Sequence, residues 1–126
     1  MSMRTELGKV RGIGPAHEGT SHFWKQRLTA ISNLPLVIFL IWFVMAHLGA
    51  SRADVVAAVK NPFEAIGLGL AMISICWHMK LGLQIVVEDY VHAPSLKITS
   101  LILVNFYAFG LAIVALYAIL KMNIGA

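Results

Sequence analysis

The sequence predicts an all-α membrane protein with three transmembrane helices, and three observations carry that expectation. Hydrophobic residues make up 59% of the 126 and charged residues only 13%, where an ordinary soluble domain has roughly a quarter charged. So short and apolar a chain lacks the polar material to cover a water-facing surface, because small domains expose the most surface per unit volume. The apolar residues gather into three runs, from about Leu28 to Gly49, Phe63 to Val87 and Ile98 to Leu120. Each has the ~20 residues that a helix rising about 1.5 Å per residue needs to cross hydrocarbon. The short alternating segments of a transmembrane β-barrel are absent.

The elements follow in order. Residues 1–27 form a polar N-terminal segment without the apolar stretch of a cleaved signal peptide, so the first span is expected to stay in the membrane. His22, Trp24, Lys25 and Arg27 cluster just before that span. Such residues hold a helix at the lipid headgroups, and an arginine there equally suits a carboxylate such as a haem propionate. Residues 28–126 form the three-helix domain, its spans at about 28–49, 63–90 and 98–120. Pro35 leaves the carbonyl of Ile31 without a helical partner; either Ser32 and Asn33 cap a helix starting there, or Pro35 kinks one begun near Gln26. Asn61-Pro62 opens the second span, and Ala93-Pro94 separates it from the third.

Five of the ten Lys and Arg residues precede position 28: Arg4, Lys9, Arg11, Lys25 and Arg27. Basic residues stay on the cytoplasmic side. The expected topology therefore has the N-terminus and the Glu88–Lys97 loop in the cytoplasm, with the C-terminus outside. That distribution also accounts for the net charge of +4 without a nucleic-acid partner. The single cysteine, Cys76, excludes an intramolecular disulfide and any iron–sulfur or structural zinc site built from this chain alone. No internal repeat suggests an inverted-repeat transporter.

Polar chemistry concentrates in the second span, where His78, Lys80 and Gln84 lie within the apolar run and Glu88, Asp89 and Tyr90 close it. Ionisable groups at membrane depth are costly and face a partner, a cavity or a cofactor. Asp89 follows His78 by eleven residues, which returns to nearly the same helix face ~16 Å further along. An imidazole here either ligates a metal such as haem iron or hydrogen-bonds a neighbouring helix. Gly82, one turn on, admits a flat macrocycle or close helix packing. His47 lies toward the outer end of the first span, and His17, His22 and His92 at or beyond the cytoplasmic face. A bis-histidine haem at His78 thus requires its second ligand from another subunit. Tyr90 can donate to a quinone carbonyl and Asp89 can relay protons, or the two simply anchor and solvate a helix end. Lys80 points about 200° away from His78, toward a different surface.

The segment HMKLGLQIVVEDYVH, residues 78–92, resembles the second helix of the small membrane-anchor subunit of succinate dehydrogenase, with His78 followed eleven residues later by Asp89-Tyr90. The segment GTSHFWKQRLTAISNLPL, residues 19–36, is similar to that family's entry into its first helix in alphaproteobacterial and mitochondrial versions. The resemblance covers nearly the whole chain. It implies half of a heterodimeric helical bundle in the bacterial inner membrane, beside a larger cytochrome-b anchor subunit, an iron–sulfur subunit and a flavoprotein subunit. It implies that His78 is one axial ligand of haem b, with Arg27 and, more weakly, His22 near the haem propionates. Tyr90 and Asp89 would form part of the ubiquinone site, and FAD and iron–sulfur clusters would belong to the partners. The alternatives are a fumarate reductase anchor, a transporter subunit with His78, Lys80 and Gln84 along a polar path, and a scaffold without redox chemistry.

Overall fold

Hydrocarbon offers backbone N–H and C=O groups no partner, so an apolar run must satisfy them internally. In the computed structural model, which describes residues 5–7 and 17–125, the three runs do so as helices. The chain folds as α1 (His17–Ala46), α2 (Arg52–Val59), α3 (Pro62–Tyr90) and α4 (Pro94–Ile124). Among the described residues, three stretches are long and apolar enough to cross a membrane, Phe23–Ala46, Pro62–Tyr90 and Pro94–Ile124, which makes the chain a multi-pass membrane protein. α3 is the middle helix: α1 and α4 both pack on it and, among the described residues, not on each other.

Local chemistry sets the boundaries. α1 begins at His17, well before the apolar run, and passes through Pro35 without ending. Pro35 therefore lies within a helix begun earlier, the second of the two readings, and Ser32 and Asn33 are not caps. Gly49, at φ 76°, ends the turn that follows α1, in a left-handed conformation that other residues adopt at a cost. Asn61 caps α3 by accepting from the Phe63 N–H at 3.1 Å, and Pro62 takes the first helical position, where its missing N–H costs nothing. Pro94 does the same for α4, and Gly125, at φ 85°, closes it with its N–H on the carbonyls of Lys121 and Met122.

The short helix α2 lies in the segment that the hydropathy pattern leaves as a loop. Ser51 and Asp54 form a reciprocal capping box: the Asp54 N–H donates to Ser51 Oγ at 3.2 Å, and the Ser51 N–H to Asp54 Oδ2 at 3.1 Å. α2 tucks Val59, the one large side chain fully buried among the described residues, against Phe43 and Leu68. Phe39, Val55, Ile119 and Met122 surround this cluster, and Asn123 Nδ2 donates to the Val59 carbonyl at 2.9 Å. All four helices thus meet at the α2 end. Elsewhere the apolar side chains face outward, and only 6–11% of each span's most apolar window is buried inside the chain. That surface is suited to lipid and neighbouring protein.

Two outcomes follow from these contacts. A Cβ on Gly67 would come within 2.8 Å of the Phe39 ring, so Gly67→Leu should force α1 from α3 at a cost of about 1–3 kcal/mol. Thermal unfolding in detergent should register the loss, and Phe39→Ala in the same chain should recover part of it. The Ser51 hydroxyl at 2.7 Å, then its backbone N–H, holds the Asp54 carboxyl below the ordinary carboxylate range. A lowered folded value contributes stability above the unfolded value and loses it as pH falls through the folded one. Amide protection in α2, taken relative to the intrinsic exchange rate at each pH, should therefore fall below about pH 4, and Ser51→Ala should remove much of that dependence.

Candidate functional site

Polar residues on α1 and α3 meet along one seam, in antiparallel register. Thr29, Ser32 and Asn33 occupy one face of α1 at helical spacing, and Ser74 and His78 lie one turn apart on the facing side of α3. Ser74 is only 9% exposed although it lies in the span. Its hydroxyl donates to Asn33 Oδ1 at 2.6 Å, since a carbonyl oxygen has no proton to give. The 2.7 Å contact between Ser32 and Ser74 then takes its proton from Ser32, whose hydroxyl also lies 3.0 Å from the Thr29 carbonyl. Every hydroxyl in this group has a partner inside the protein.

One turn along, His78 Nδ1 lies 3.0 Å from Thr29 Oγ1. The threonine hydroxyl has a single proton and two helical carbonyls in reach, Lys25 at 2.8 Å and Gln26 at 3.0 Å. With that proton on a carbonyl, Thr29 Oγ1 accepts from Nδ1–H, and the lone pair of the imidazole resides on Nε2. Nε2 has no hydrogen-bond partner among the described residues. Gly82 continues the same face, and a Cβ there would find its nearest neighbour, Gln26 Nε2, 4.0 Å away. Gln26 Oε1 is buried and without a hydrogen-bond partner among the described residues. A half-buried imidazole with an available nitrogen beside a helix face stripped of side chain fits a planar, iron-bearing macrocycle.

The other candidate residues stand apart from this contact. Asp89 and Tyr90 end α3, Tyr90 being 79% exposed, and Asp89 is exposed beside it. Gln84 turns toward the same end, its amide donating to Glu88 Oε1 at 2.9 Å. Arg27 is exposed near the start of the first span, its guanidinium 5.2 Å from the centroid of the Phe23 ring. Two residues from Thr29, it points to the other side of α1, so the chain does not bring it to His78. His22 lies on the opening turns of α1, and its side chain falls outside the described residues. His47 is engaged elsewhere, with Nδ1 2.7 Å from the Phe43 carbonyl and its ring stacked at 4.4 Å on Phe43. Lys80 faces away from the seam into a groove of about 820 Å³ between α3 and α4, beside Trp77, Asn105 and Phe109.

Thr29 and Ser74 are the residues that the sequence reading does not single out. Their signal was present in the spacing: two polar stripes, on the first and second spans, each at intervals of three or four residues. Polar residues so arranged in an apolar helix mark a helix–helix seam.

Comparison with known proteins gives the family. Residues 1–116 match the family model described as succinate dehydrogenase/fumarate reductase transmembrane subunit. A succinate dehydrogenase hydrophobic membrane anchor subunit of Rickettsia bellii is 33% identical over 105 residues, covering 83% of this chain and 84% of the relative. The protein of the same name from Paracoccus denitrificans is 31% identical over 117 residues, covering 93% and 90%. A succinate dehydrogenase membrane anchor subunit of Reclinomonas americana is 28% identical over 93 residues, covering 71% and 78%. No solved structure matches the chain significantly. Three spans, a match over nearly the whole length and relatives that share its size show that the chain belongs to the succinate dehydrogenase/fumarate reductase transmembrane subunit family.

Proposed function

We propose that this chain is the small membrane-anchor subunit of a succinate:ubiquinone oxidoreductase in the bacterial inner membrane, contributing one axial ligand of haem b and part of the ubiquinone-reduction site. The observation that carries this reading is His78, held through Nδ1 by Thr29 with Nε2 available at membrane depth. Haem b, when bound, supplies a reversible one-electron centre. Its second ligand would come from the larger cytochrome-b anchor subunit, because His47 lies 18 residues beyond Thr29, ~27 Å along the first span. The outward-facing apolar surface of the three spans is the side on which that subunit docks, completing a heterodimeric bundle. Arg27, and His22 beside it in sequence, serve the propionates from the head of α1.

At the end of α3, the Tyr90 hydroxyl donates a hydrogen bond to a quinone carbonyl oxygen and so favours negative charge gathering there as electrons arrive. Asp89, exposed at the same helix end, passes protons from water to the reduced ring. Two electrons and two protons convert the quinone to quinol. The electrons come from an iron–sulfur subunit and a flavoprotein, whose cysteine clusters and dinucleotide motifs this chain lacks. The basic N-terminal segment and the α3–α4 loop then face the cytoplasm, which sets Asp89 and Tyr90 against those soluble subunits. A fumarate reductase shares the architecture, but the relatives are named for succinate dehydrogenase. A polar conduit is disfavoured because Ser32, Asn33 and Ser74 pair with one another, and Lys80 lies on the far side of α3.

Two variants of the assembled complex test the two sites separately. His78→Ala should abolish or shift the Soret band of the purified complex, and an unchanged spectrum would remove the haem assignment. Tyr90→Phe should lower quinone reduction about tenfold, the worth of one hydrogen bond, while succinate oxidation by an artificial acceptor continues. An equal fall in both activities would make Tyr90 structural.

A further inference from the structure

We infer that Thr29 is a positioning residue for the haem ligand: its hydroxyl oxygen accepts the Nδ1–H of His78, fixing the ring's tautomer and its rotation so that Nε2 faces iron. The inference rests on the reading of His78 as an axial ligand, and it adds a residue from a different helix to the site.

The direction of the bond is assigned from the other contacts of the hydroxyl. The hydroxyl of Thr29 lies 2.8 Å from the Lys25 carbonyl and 3.0 Å from that of Gln26. Both are acceptors only, so the single hydroxyl proton is drawn back along α1. What the oxygen presents to α3 is a lone pair, 3.0 Å from Nδ1. An imidazole with its proton on Nδ1 has its lone pair on Nε2, the nitrogen without a partner among the described residues. Metal-bound histidines characteristically give their other N–H to an oxygen acceptor, which orients the ring and raises its basicity. Here the acceptor is neither a carboxylate nor a free carbonyl, but a hydroxyl polarised by its own helix.

The threonine is itself held in place. The Ser32–Ser74–Asn33 group pins α1 to α3 one turn away, and Ser32 also contacts the Thr29 carbonyl at 3.0 Å. Thr29 is β-branched, so its rotamer freedom is small, and the carbonyl contacts select the rotamer that places Oγ1 toward His78. The ring orientation is thus set by the α1–α3 register as well as by α3.

Thr29→Val keeps the shape and removes the oxygen, and Thr29→Ser keeps the oxygen. Both are to be compared with the unaltered chain in the purified complex, by redox titration of haem b and by the low-spin ferric electron paramagnetic resonance signal. Without the acceptor the imidazole is a weaker donor to ferric iron, so the midpoint potential in Thr29→Val should rise and the g-values should move. Haem affinity should fall about tenfold, as for other residues that orient metal ligands. Thr29→Ser should restore all three. A Val variant with unaltered potential and g-values, or a Ser variant shifted as far as the Val variant, would overturn the inference. Should the Val variant fail to assemble, Thr29→Ala against Thr29→Ser gives the same comparison, with the same two outcomes decisive. Failure of the underlying reading is distinct: His78→Ala would then keep the wild-type haem spectrum, whatever Thr29 does.

Discussion

A polar atom in hydrocarbon must find its partner inside the protein, and that constraint organises this chain. Apolar packing alone chooses helix pairs weakly in a membrane, because lipid tails are as good a neighbour as leucine. The α1–α3 seam escapes this degeneracy. Thr29 opposite His78, Ser32 and Asn33 opposite Ser74, and Phe39 against Gly67 form a ladder in which α3 retreats as α1 advances. A slip along the axis would break several polar contacts together. Interhelical hydrogen bonds in membranes average only about 0.6 kcal/mol, so the ladder adds modestly to stability. Its larger effect is on register, and register is what a metal ligand requires.

The two ends of the bundle serve different needs. At the α2 end, Val59, Phe43 and Leu68 form a small apolar core, and Asn123 ties the C-terminal turn of α4 to the end of α2. Gly125 is needed there for its positive φ, which ends α4 in a left-handed turn. The other end is open: α3 finishes at Asp89 and Tyr90, both exposed, and only Val91, His92 and Ala93 intervene before α4 begins at Pro94. The closed end gives the three long helices a fixed origin. The open end leaves a phenol and a carboxylate where water and the membrane surface meet.

Three spans, their proline boundaries and the polar face of the second were legible in the residues because each rests on local chemistry. A run of twenty apolar residues, Pro62 after Asn61 and an intramembrane histidine carry their meaning without a neighbour. α2 was illegible to hydropathy because its eight residues are neither long nor strongly apolar, although Ser51 and Asp54 at capping-box spacing marked its start. Pro35 looked like a boundary because it breaks one hydrogen bond. In lipid, where the rest of the backbone has no alternative partner, that loss does not end the helix. Ser32 and Asn33 read as caps for the same local reason and proved to be cross-helix partners of Ser74. The Thr29–His78 contact joins residues 49 apart in sequence, and only the fold brings them together. The opposite orientations of His78 and Lys80, by contrast, needed only the helical repeat.

The reach of this chain's own chemistry explains why it belongs to an assembly. On the proposed reading the chain supplies one oriented imidazole nitrogen, and its other intramembrane histidine, His47, lies at the far end of the first span, out of reach of the His78 site. A planar macrocycle held from one side alone would leave its second face to lipid, which has no ligand to offer iron. The spans likewise bury no more than 11% of their most apolar residues within the chain. On the proposed reading both deficits would be met by one arrangement, a second helical subunit packed on the His78 side, giving a ligand to the opposite face of the ring while covering apolar surface. Lys80 turns the other way, toward α4, and so leaves the His78 side free of a charge that such a docking surface would have to desolvate.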